Sequence, residues 1–342
     1  MSDSMKLIIS KLADGGTLSQ AEAKVAFDCI MEGDATAVQI GAFVMAMRVR
    51  GETVAEISAG AQTMREKMKK VNAPANAIDI VGTGGDSRGT YNISTATALV
   101  VAGAGVPVAK HGSKAVSSKS GASDVLTSLG VNMGADIATV EKSIDQAGIG
   151  FMMAPLYHSA MKYVVEPRQQ LGIRTIFNLL GPMANPAGVK RQMTGVFAKE
   201  WVRPLAEVLG RLGSEKVWVV HGSNGIDELT TTGVTYVAEY SDKGIKEFEI
   251  DPQDAGLPLA RDEDLLGGDS SYNAAAIKRV LDGEIGPYRD IVLLNSAASL
   301  IVADKVENIK DGVLVAADSI DSGKAKAALQ KLVDITNGAS GE

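Results

Sequence analysis

Residues 78–95 read Ile78-Asp-Ile-Val-Gly-Thr-Gly-Gly-Asp-Ser-Arg-Gly-Thr-Tyr-Asn-Ile-Ser-Thr95. The run Ile78–Val81 has the length and β-branched content of a buried strand. In the loop that follows, four of the eight positions 82–89 are glycine: Gly82, Gly84, Gly85 and Gly89. Thr90, Asn92, Ser94 and Thr95 then supply hydroxyls and an amide, and an apolar helical segment begins near Ala96. Strand, glycine loop and helix N-terminus together form a phosphate cradle. The glycines let backbone N–H groups approach closely, and the helix end adds unpaired donors and partial positive charge. Position 87 is not glycine, so the loop departs from the dinucleotide fingerprint, and no Gly-Lys-Ser/Thr closes it as in a P-loop.

On the N-terminal side, residues 1–70 read as helices only. Ser19-Gln-Ala-Glu22 and Thr53-Val-Ala-Glu56 are capping-box patterns. Val54, Ile57, Ala61, Met64 and Met68 then recur at the spacing of one helix face. Residues 71–76 break the helix and act as a linker. From residue 77 onward, short apolar strands alternate with helices. Strands are expected at 77–81, 106–110, 149–153, 194–198 and 216–221. Helices are expected at 95–104, 121–130, 138–147, 201–212, 272–282, 290–303 and 321–336. This alternation predicts an α/β class with a largely parallel sheet, whose ligands sit at the carboxyl ends of the strands. The stretch 166–190 interrupts the pattern and is expected to pack on the N-terminal helices, while the polar stretch 240–270 is read as a peripheral hairpin. The predicted organisation is a small helical domain, 1–72 with 166–190 packed on it, and a large α/β domain formed by 73–165 and 191–342.

Composition narrows the class. A net charge of −7 lacks the basic footprint of a general nucleic-acid binder. Cys29 is the single cysteine, so no internal disulfide forms and a reducing, cytoplasmic setting is expected. Its place in a helical pattern reads as a small buried apolar residue. No long apolar run suggests a signal peptide or membrane span.

Three further segments carry chemistry. Lys110-His-Gly-Ser-Lys-Ala-Val-Ser-Ser-Lys-Ser-Gly121 follows the second strand with three lysines, four serines and no acid. It suits a polyanion such as pyrophosphate. Asp227-Glu228 follows the strand 216–221, and adjacent carboxylates at a strand end suit Mg²⁺, which prefers oxygen ligands and bridges to substrate phosphates. His158 and Arg168 lie in one stretch, and arginine pairs bidentately with a planar carboxylate. No Ser-His-Asp or Cys-His arrangement is legible.

Taken together, Gly82-Thr-Gly-Gly-Asp86, Asn92-Ile-Ser-Thr95, Lys110-His-Gly112, Ser117-Ser-Lys-Ser-Gly121, Leu171-Gly-Ile-Arg-Thr-Ile-Phe-Asn-Leu-Leu-Gly-Pro182 and Asp227-Glu228 closely resemble the anthranilate phosphoribosyltransferase family over about residues 5 to 338. The resemblance implies a small helical domain hinged to a large α/β domain, in the class II phosphoribosyltransferase and nucleoside phosphorylase style, and a homodimer formed through the helical domain. It implies transfer of the ribose phosphate of phosphoribosyl pyrophosphate to the amine of anthranilate, in tryptophan biosynthesis. Gly82, Gly84, Gly85, Asp86, Thr90, Asn92, Ile93, Ser94 and Thr95 would line the phosphoribosyl pyrophosphate site, completed by Lys110, Ser113, Ser117 and Ser118. Ser94, Asp227 and Glu228 fall on the Mg²⁺ positions. Gly82, Ser113, His158 and Arg168 fall on positions that meet anthranilate, and Lys110, His158 and Arg168 are the candidate catalytic side chains. Ser113 replaces the family's usual asparagine, whose amide touches anthranilate, so either a shorter hydroxyl acts there through a water or the phosphoribosyl group goes to another amine acceptor. Tyr157 stands where a second histidine is common, and Gln169-Gln170 replaces a more charged pair.

Two other readings use the same residues. A pyrimidine nucleoside phosphorylase shares the architecture but carries a Lys-His-Ser-Thr-Gly-Gly order that is absent here. A non-catalytic nucleic-acid-binding homologue would be basic and would have lost the glycine loop or the Asp-Glu pair. This chain is acidic and keeps both.

Overall fold

The structure, a computed structural model, describes residues 2–114 and 120–338, so Ser117 and Ser118 lie outside the described residues. The chain opens with α1 (Ser2–Ala13), α2 (Gln20–Glu32), α3 (Ala37–Arg50) and α4 (Val54–Lys67). Both expected capping boxes form: Ser19 Oγ accepts from Glu22 N–H while the Glu22 carboxylate accepts from Ser19 N–H, and Thr53 and Glu56 repeat the exchange. A third box, Thr36 with Gln39, starts α3. Cys29 is buried on α2, as its helical pattern implied.

Next come β1 (Ile78–Gly82), α5 (Ile93–Gly103), β2 (Val108–Gly112), α6 (Ala122–Ser128), α7 (Ile137–Ala147) and β3 (Ile149–Met153). The helices α8 (Ala154–Tyr157), α9 (Lys162–Leu171) and α10 (Ile176–Leu180) leave the sheet, which resumes with β4 (Arg191–Gly195), α11 (Val202–Arg211) and β5 (Lys216–Gly222). A hairpin, β6 (Thr235–Ser241) and β7 (Gly244–Ile250), precedes α12 (Ser270–Leu281), α13 (Pro287–Val302), α14 (Ile309–Asp321) and α15 (Lys324–Thr336).

The seven strands form one sheet in the order β3-β2-β1-β4-β5-β6-β7. β1 to β5 run parallel and the hairpin is antiparallel. Strand order reverses between β1 and β4, since β2 and β3 extend one way and β5 the other. Such a switch point leaves a crevice at the carboxyl ends of its two strands, and the glycine loop starts there.

Three sequence expectations shift. The fourth strand runs 191–195 rather than 194–198, because its polar start is satisfied internally: Gln192 donates to Pro182 O at 2.7 Å and Arg191 pairs with Asp304 at 2.5 Å. The hairpin occupies 235–250 rather than 240–270. Its outer strand is an edge with Lys246, Glu247 and Glu249 exposed, which blurs the alternation. The helix expected at 321–336 forms as α15, but α14, just before it, was not expected. Gly312 hid α14 by weakening the helical pattern. Its missing Cβ lets α14 lie against α13, where a methyl would stand 2.7 Å from Ala297 Cα.

One face of the sheet is covered by α5, α13, α14 and α15 around Leu99, Ile291 and Leu332. The core of the other face runs through α11 into the N-terminal helices, and Val164, Ile176, Phe177 and Leu180 of α9 and α10 belong to it. Phe27 sits edge-on to Phe43 at 5.5 Å and to Phe177 at 6.1 Å, so α10 is wedged into the bundle. Arg65 of α4 donates to Met183 O at 2.7 Å and to Leu212 O at 2.9 Å, tying the bundle to the end of α11. Phe177→Ala removes a buried ring with two aromatic partners. It should lower unfolding free energy by about 3–5 kcal/mol in urea titration, against under 1.5 kcal/mol for volume-conserving core swaps.

Candidate active site

Two glycines at neighbouring strand ends set the geometry. Gly82 ends β1 and Gly195 ends β4, paired in register. The loop after β5 folds back over both. A Cβ at Gly82 would overlap Asp227 Oδ2, and one at Gly195 would overlap the Asp227 carbonyl. Only bare backbone at both ends admits Asp227. From there Asp227 Oδ2 accepts the Gly84 N–H at 2.7 Å, while Glu228 Oε1 accepts the Ser94 N–H at 3.2 Å. The neighbouring acids therefore serve different segments, one the glycine loop and one the start of α5. Asn295 of α13 holds their loop from below, accepting from Leu229 N–H at 3.0 Å and donating to its carbonyl at 2.9 Å.

Lys110, at 2% exposure, projects from β2 under the glycine loop. Its ammonium donates to Ile80 O and to Ser94 Oγ, the latter at 3.3 Å. Burial pushes its pKa down, opposed by the negative charges of Asp79, Glu228 and Asp227. Burial also raises the Asp227 carboxyl, and Asp86 nearby adds repulsion; burial and Asp227 raise Glu228. Asp79, fully buried on β1, is pushed up to about 6 by burial, against the pull of Lys110 and of hydrogen bonds from Asn185 and His111. Asn185 donates to Asp79 Oδ2 at 2.7 Å and to Ala109 O at 2.9 Å, and the His111 N–H donates to Asp79 Oδ1 at 3.1 Å.

A dication fits these residues. Asp227, Glu228 and the Ser94 hydroxyl are hard oxygen donors, and burial together with the mutual repulsion of Asp86, Asp227 and Glu228 raises the pKa of both Asp227 and Glu228. Among the described residues no three His, Cys, Asp or Glu side chains converge as a metal cage. The set thus suits Mg²⁺, which is held by one or two carboxylates and keeps sites for water or substrate oxygens.

Asn92 precedes α5 without capping it through its side chain, and at that end the Ile93 N–H is taken by Tyr91 O at 2.9 Å and the Ser94 N–H by Glu228. Gly84 and Gly85 adopt left-handed φ of 65° and 74°, which other residues rarely do. Ser113 is exposed at the end of β2. His158 follows α8, is 6% exposed, and packs edge-on against His111 with ring centroids 5.2 Å apart. Its Nε2 has no hydrogen-bond partner among the described residues, nor does either ring nitrogen of His111. Arg168, partly buried on α9, lies over the Phe177 ring at 5.7 Å. Among the described residues no hydrogen bond or ion pair engages its guanidinium, and burial lowers its pKa.

Residues 74–326 match the family described as glycosyl transferase family, a/b domain, and residues 6–68 match glycosyl transferase family, helical bundle domain. Anthranilate phosphoribosyltransferase from Parvibaculum lavamentivorans is 63% identical, over 97% of this chain and 98% of that one. The Rhodospirillum rubrum counterpart is 60% identical, over 97% and 95%. The chain belongs to the anthranilate phosphoribosyltransferase family. Its structure is similar to that of the Thermus thermophilus member, with a TM-score of 0.92 at 40% identity over 97% of this chain and 99% of that one. The Saccharomyces cerevisiae member in complex with phosphoribosyl pyrophosphate and Mg gives 0.91 at 29% identity, over 98% and 99%.

For an anthranilate phosphoribosyltransferase, the structure gathers Gly82–Asp86, Thr90–Thr95, Lys110, Asp227 and Glu228 at the strand switch point. His158 stands on the far side of β2 from the Lys110 ammonium, against His111. Several residues went unmarked in the sequence. Asp79 looks like an interruption in an apolar run, and Asn185 like part of a Pro-Asn turn. Arg174, inside the Leu171–Pro182 motif but given no role in the sequence, donates to Gly85 O at 3.0 Å and stacks on Phe197 at 4.5 Å. Only folding brings each to its partner.

Burial lowers the pKa of His111 to about 3, and His158 beside it adds repulsion; burial lowers His158 to about 4. Below about pH 6.5 the unfolded chain therefore takes up protons that the folded chain refuses, and each histidine costs about 1.4 kcal/mol of stability per pH unit. Asp79, Asp227 and Glu228 act in the opposite sense, so the comparison must be with a variant that retains them. Relative to His158→Gln, the parent should lose stability at about that rate between pH 6.5 and 5 in urea titrations.

Proposed function

We propose that the crevice at the β1–β4 switch point binds phosphoribosyl pyrophosphate with Mg²⁺, and that the chain transfers the phosphoribosyl group to the amine of anthranilate. The products are N-(5-phosphoribosyl)anthranilate and pyrophosphate, in tryptophan biosynthesis. The observation that carries the reading is the buried Lys110 ammonium set between the glycine loop, the start of α5 and the Asp227–Glu228 pair. A polyanion and a dication together balance that arrangement.

The donor contacts are Gly82, Gly84, Gly85, Asp86, Thr90 and 92–95, with Lys110, Ser113, Ser117 and Ser118. Ser94, Asp227 and Glu228 would hold Mg²⁺, which when bound neutralises pyrophosphate charge. The yeast relative solved with phosphoribosyl pyrophosphate and Mg supports this. As the C1–O bond breaks, its electron pair leaves with pyrophosphate and positive charge develops on the ribose ring. Lys110 stabilises the leaving group. The anthranilate nitrogen, neutral at pH 7, donates its lone pair to C1 and then loses a proton to water. Placement rather than deprotonation is what the protein must supply, and placement contributes up to several kcal/mol.

Arg168, its guanidinium unpaired among the described residues and braced on Phe177, suits the anthranilate carboxylate, and His158, Gly82 and Ser113 complete that side. A yeast relative solved with 4-fluoroanthranilate supports an aromatic acid acceptor. The helical unit, 1–72 with 166–190, would carry Arg168 while 73–165 and 191–342 carry the donor site, so hinge closure brings acceptor to donor. No helix among the described residues is long and apolar enough to cross a membrane, and a cytoplasmic enzyme fits the lone buried Cys29.

With phosphoribosyl pyrophosphate and Mg²⁺, the protein should consume anthranilate, read as loss of its fluorescence, and EDTA should stop it. Lys110→Met should lower kcat about 10²–10³-fold, the scale of losing one charge-stabilising donor. Persistent fluorescence with consumption of another amine, or thymine release from thymidine and phosphate, would replace this reading.

A homodimer through the helical unit is also proposed. Val38 at 81% and Val49 at 80% exposure lie on the same side of α3, and Leu7 of the adjoining α1 is 74% exposed. Sedimentation should give twice the 35.6 kDa chain mass, and Val38→Glu with Val49→Glu should halve it.

A further inference from the structure

Segment 265–273, between the hairpin and α12, runs antiparallel along the end of the glycine loop. Tyr91 N–H donates to Leu265 O at 3.1 Å and Gly267 N–H to Gly89 O at 2.9 Å, flanking a bridge between Thr90 and Leu266. Gly267 cannot carry a side chain there, because a Cβ would stand 2.6 Å from Thr90 O and 2.8 Å from Asn273 Oδ1. Beneath this clasp lies Asn273, in the first turn of α12 and 1% exposed.

The orientation of the Asn273 amide follows from its neighbours. Its Oδ1 accepts the Gly268 N–H at 2.8 Å, and a backbone N–H only donates, so Nδ2 faces the other way. That Nδ2 donates to Asn92 Oδ1 at 2.9 Å. Asn92 Oδ1 also accepts from Ser120 Oγ at 3.3 Å, which leaves Asn92 Nδ2 to donate to Ser120 O at 3.1 Å. The Asn92 carbonyl accepts from Tyr288 Oη at 3.2 Å. Asn273 thus sets the amide orientation of Asn92, and Asn92 spans from the first turn of α5 to Ser120 on the way into α6.

We infer that Asn273 is a positioning residue for the pyrophosphate end of the donor site, acting through Asn92 to fix the spacing between the α5 N-terminus and the chain at Ser120. The inference rests on the donor reading above. Asn273 touches no reacting atom. Its donor hydrogen is what matters, because an acceptor in that place forces the Asn92 amide to turn over and brings its oxygen against the Ser120 carbonyl.

Asn273→Asp keeps the shape and the Gly268 bond and removes only the donor. In the full chain with Mg²⁺, it should raise KM for phosphoribosyl pyrophosphate tenfold or more and leave KM for anthranilate within twofold. As pH falls, the protonated carboxyl regains an O–H to give to Asn92. The ratio of variant to parent KM should then shrink toward one, which no purely structural defect would do. Asn273→Ala combined with Asn92→Ala should raise that KM no further than Asn92→Ala alone. A donor KM unchanged in Asn273→Asp, a rise in both KM values with no recovery at lower pH, or additive effects in the double variant would overturn the inference. If Asn273→Asp does not fold, the alanine pair decides alone. A parent that neither turns over nor binds phosphoribosyl pyrophosphate by calorimetry would overturn the functional reading instead.

Discussion

The burial of the Lys110 ammonium is the constraint on which the site depends. A desolvated cation persists only with partners, and here the partners come from β1, the start of α5 and the loop after β5: the Ile80 carbonyl, Ser94, and the carboxylates of Asp79, Asp227 and Glu228. Each carboxylate in turn needs N–H donors, and those donors are the glycine loop, the start of α5 and the His111 amide. Satisfying one buried charge therefore fixes the glycine loop and the start of α5 around it. The same arrangement sets Asp86, Asp227 and Glu228 near one another, and burial with their mutual repulsion raises the pKa of Asp227 and Glu228.

The space for this arrangement comes from what is missing. Gly82 and Gly195 end adjacent strands at the point where strand order reverses, and the loop after β5 occupies the volume their side chains would fill. The buried polar layer continues on the other side of β2. There Asp79, Asn185 and His111 join the sheet to the connection returning from α10. That connection comes from the part of the chain carrying Arg168, whose helix packs with the N-terminal bundle. Arg168, proposed for the acceptor, thus rides on a different packing unit from the donor residues, the two being linked by contacts such as Arg65 to Leu212.

Much was legible locally. The capping boxes at Ser19 and Thr53, the strand before the glycine loop, the basic segment after β2 and the acid pair after β5 all have short-range signatures. These work because hydrogen bonding three residues apart and strand-length apolar runs are decided within a few residues. Readings failed where distant partners satisfy polar groups. Gln192 looks like loop until Pro182 accepts its amide. Gly312 looks like a helix breaker until Ala297 packs against it. Asn273 carries no local signal, because its partner Asn92 is 181 residues away.

The sequence by itself determined the α/β class, the helical N-terminus, the phosphate-binding character of 82–95 and the family. Each of these rests on residue order within short segments. The tertiary structure alone decided that Asp227 and Glu228 serve different loops, that Lys110 is buried among them, and that Asn273 governs Asn92. Those facts depend on which atoms meet across the sheet, and charge burial and hydrogen-bond direction are settled only by that meeting.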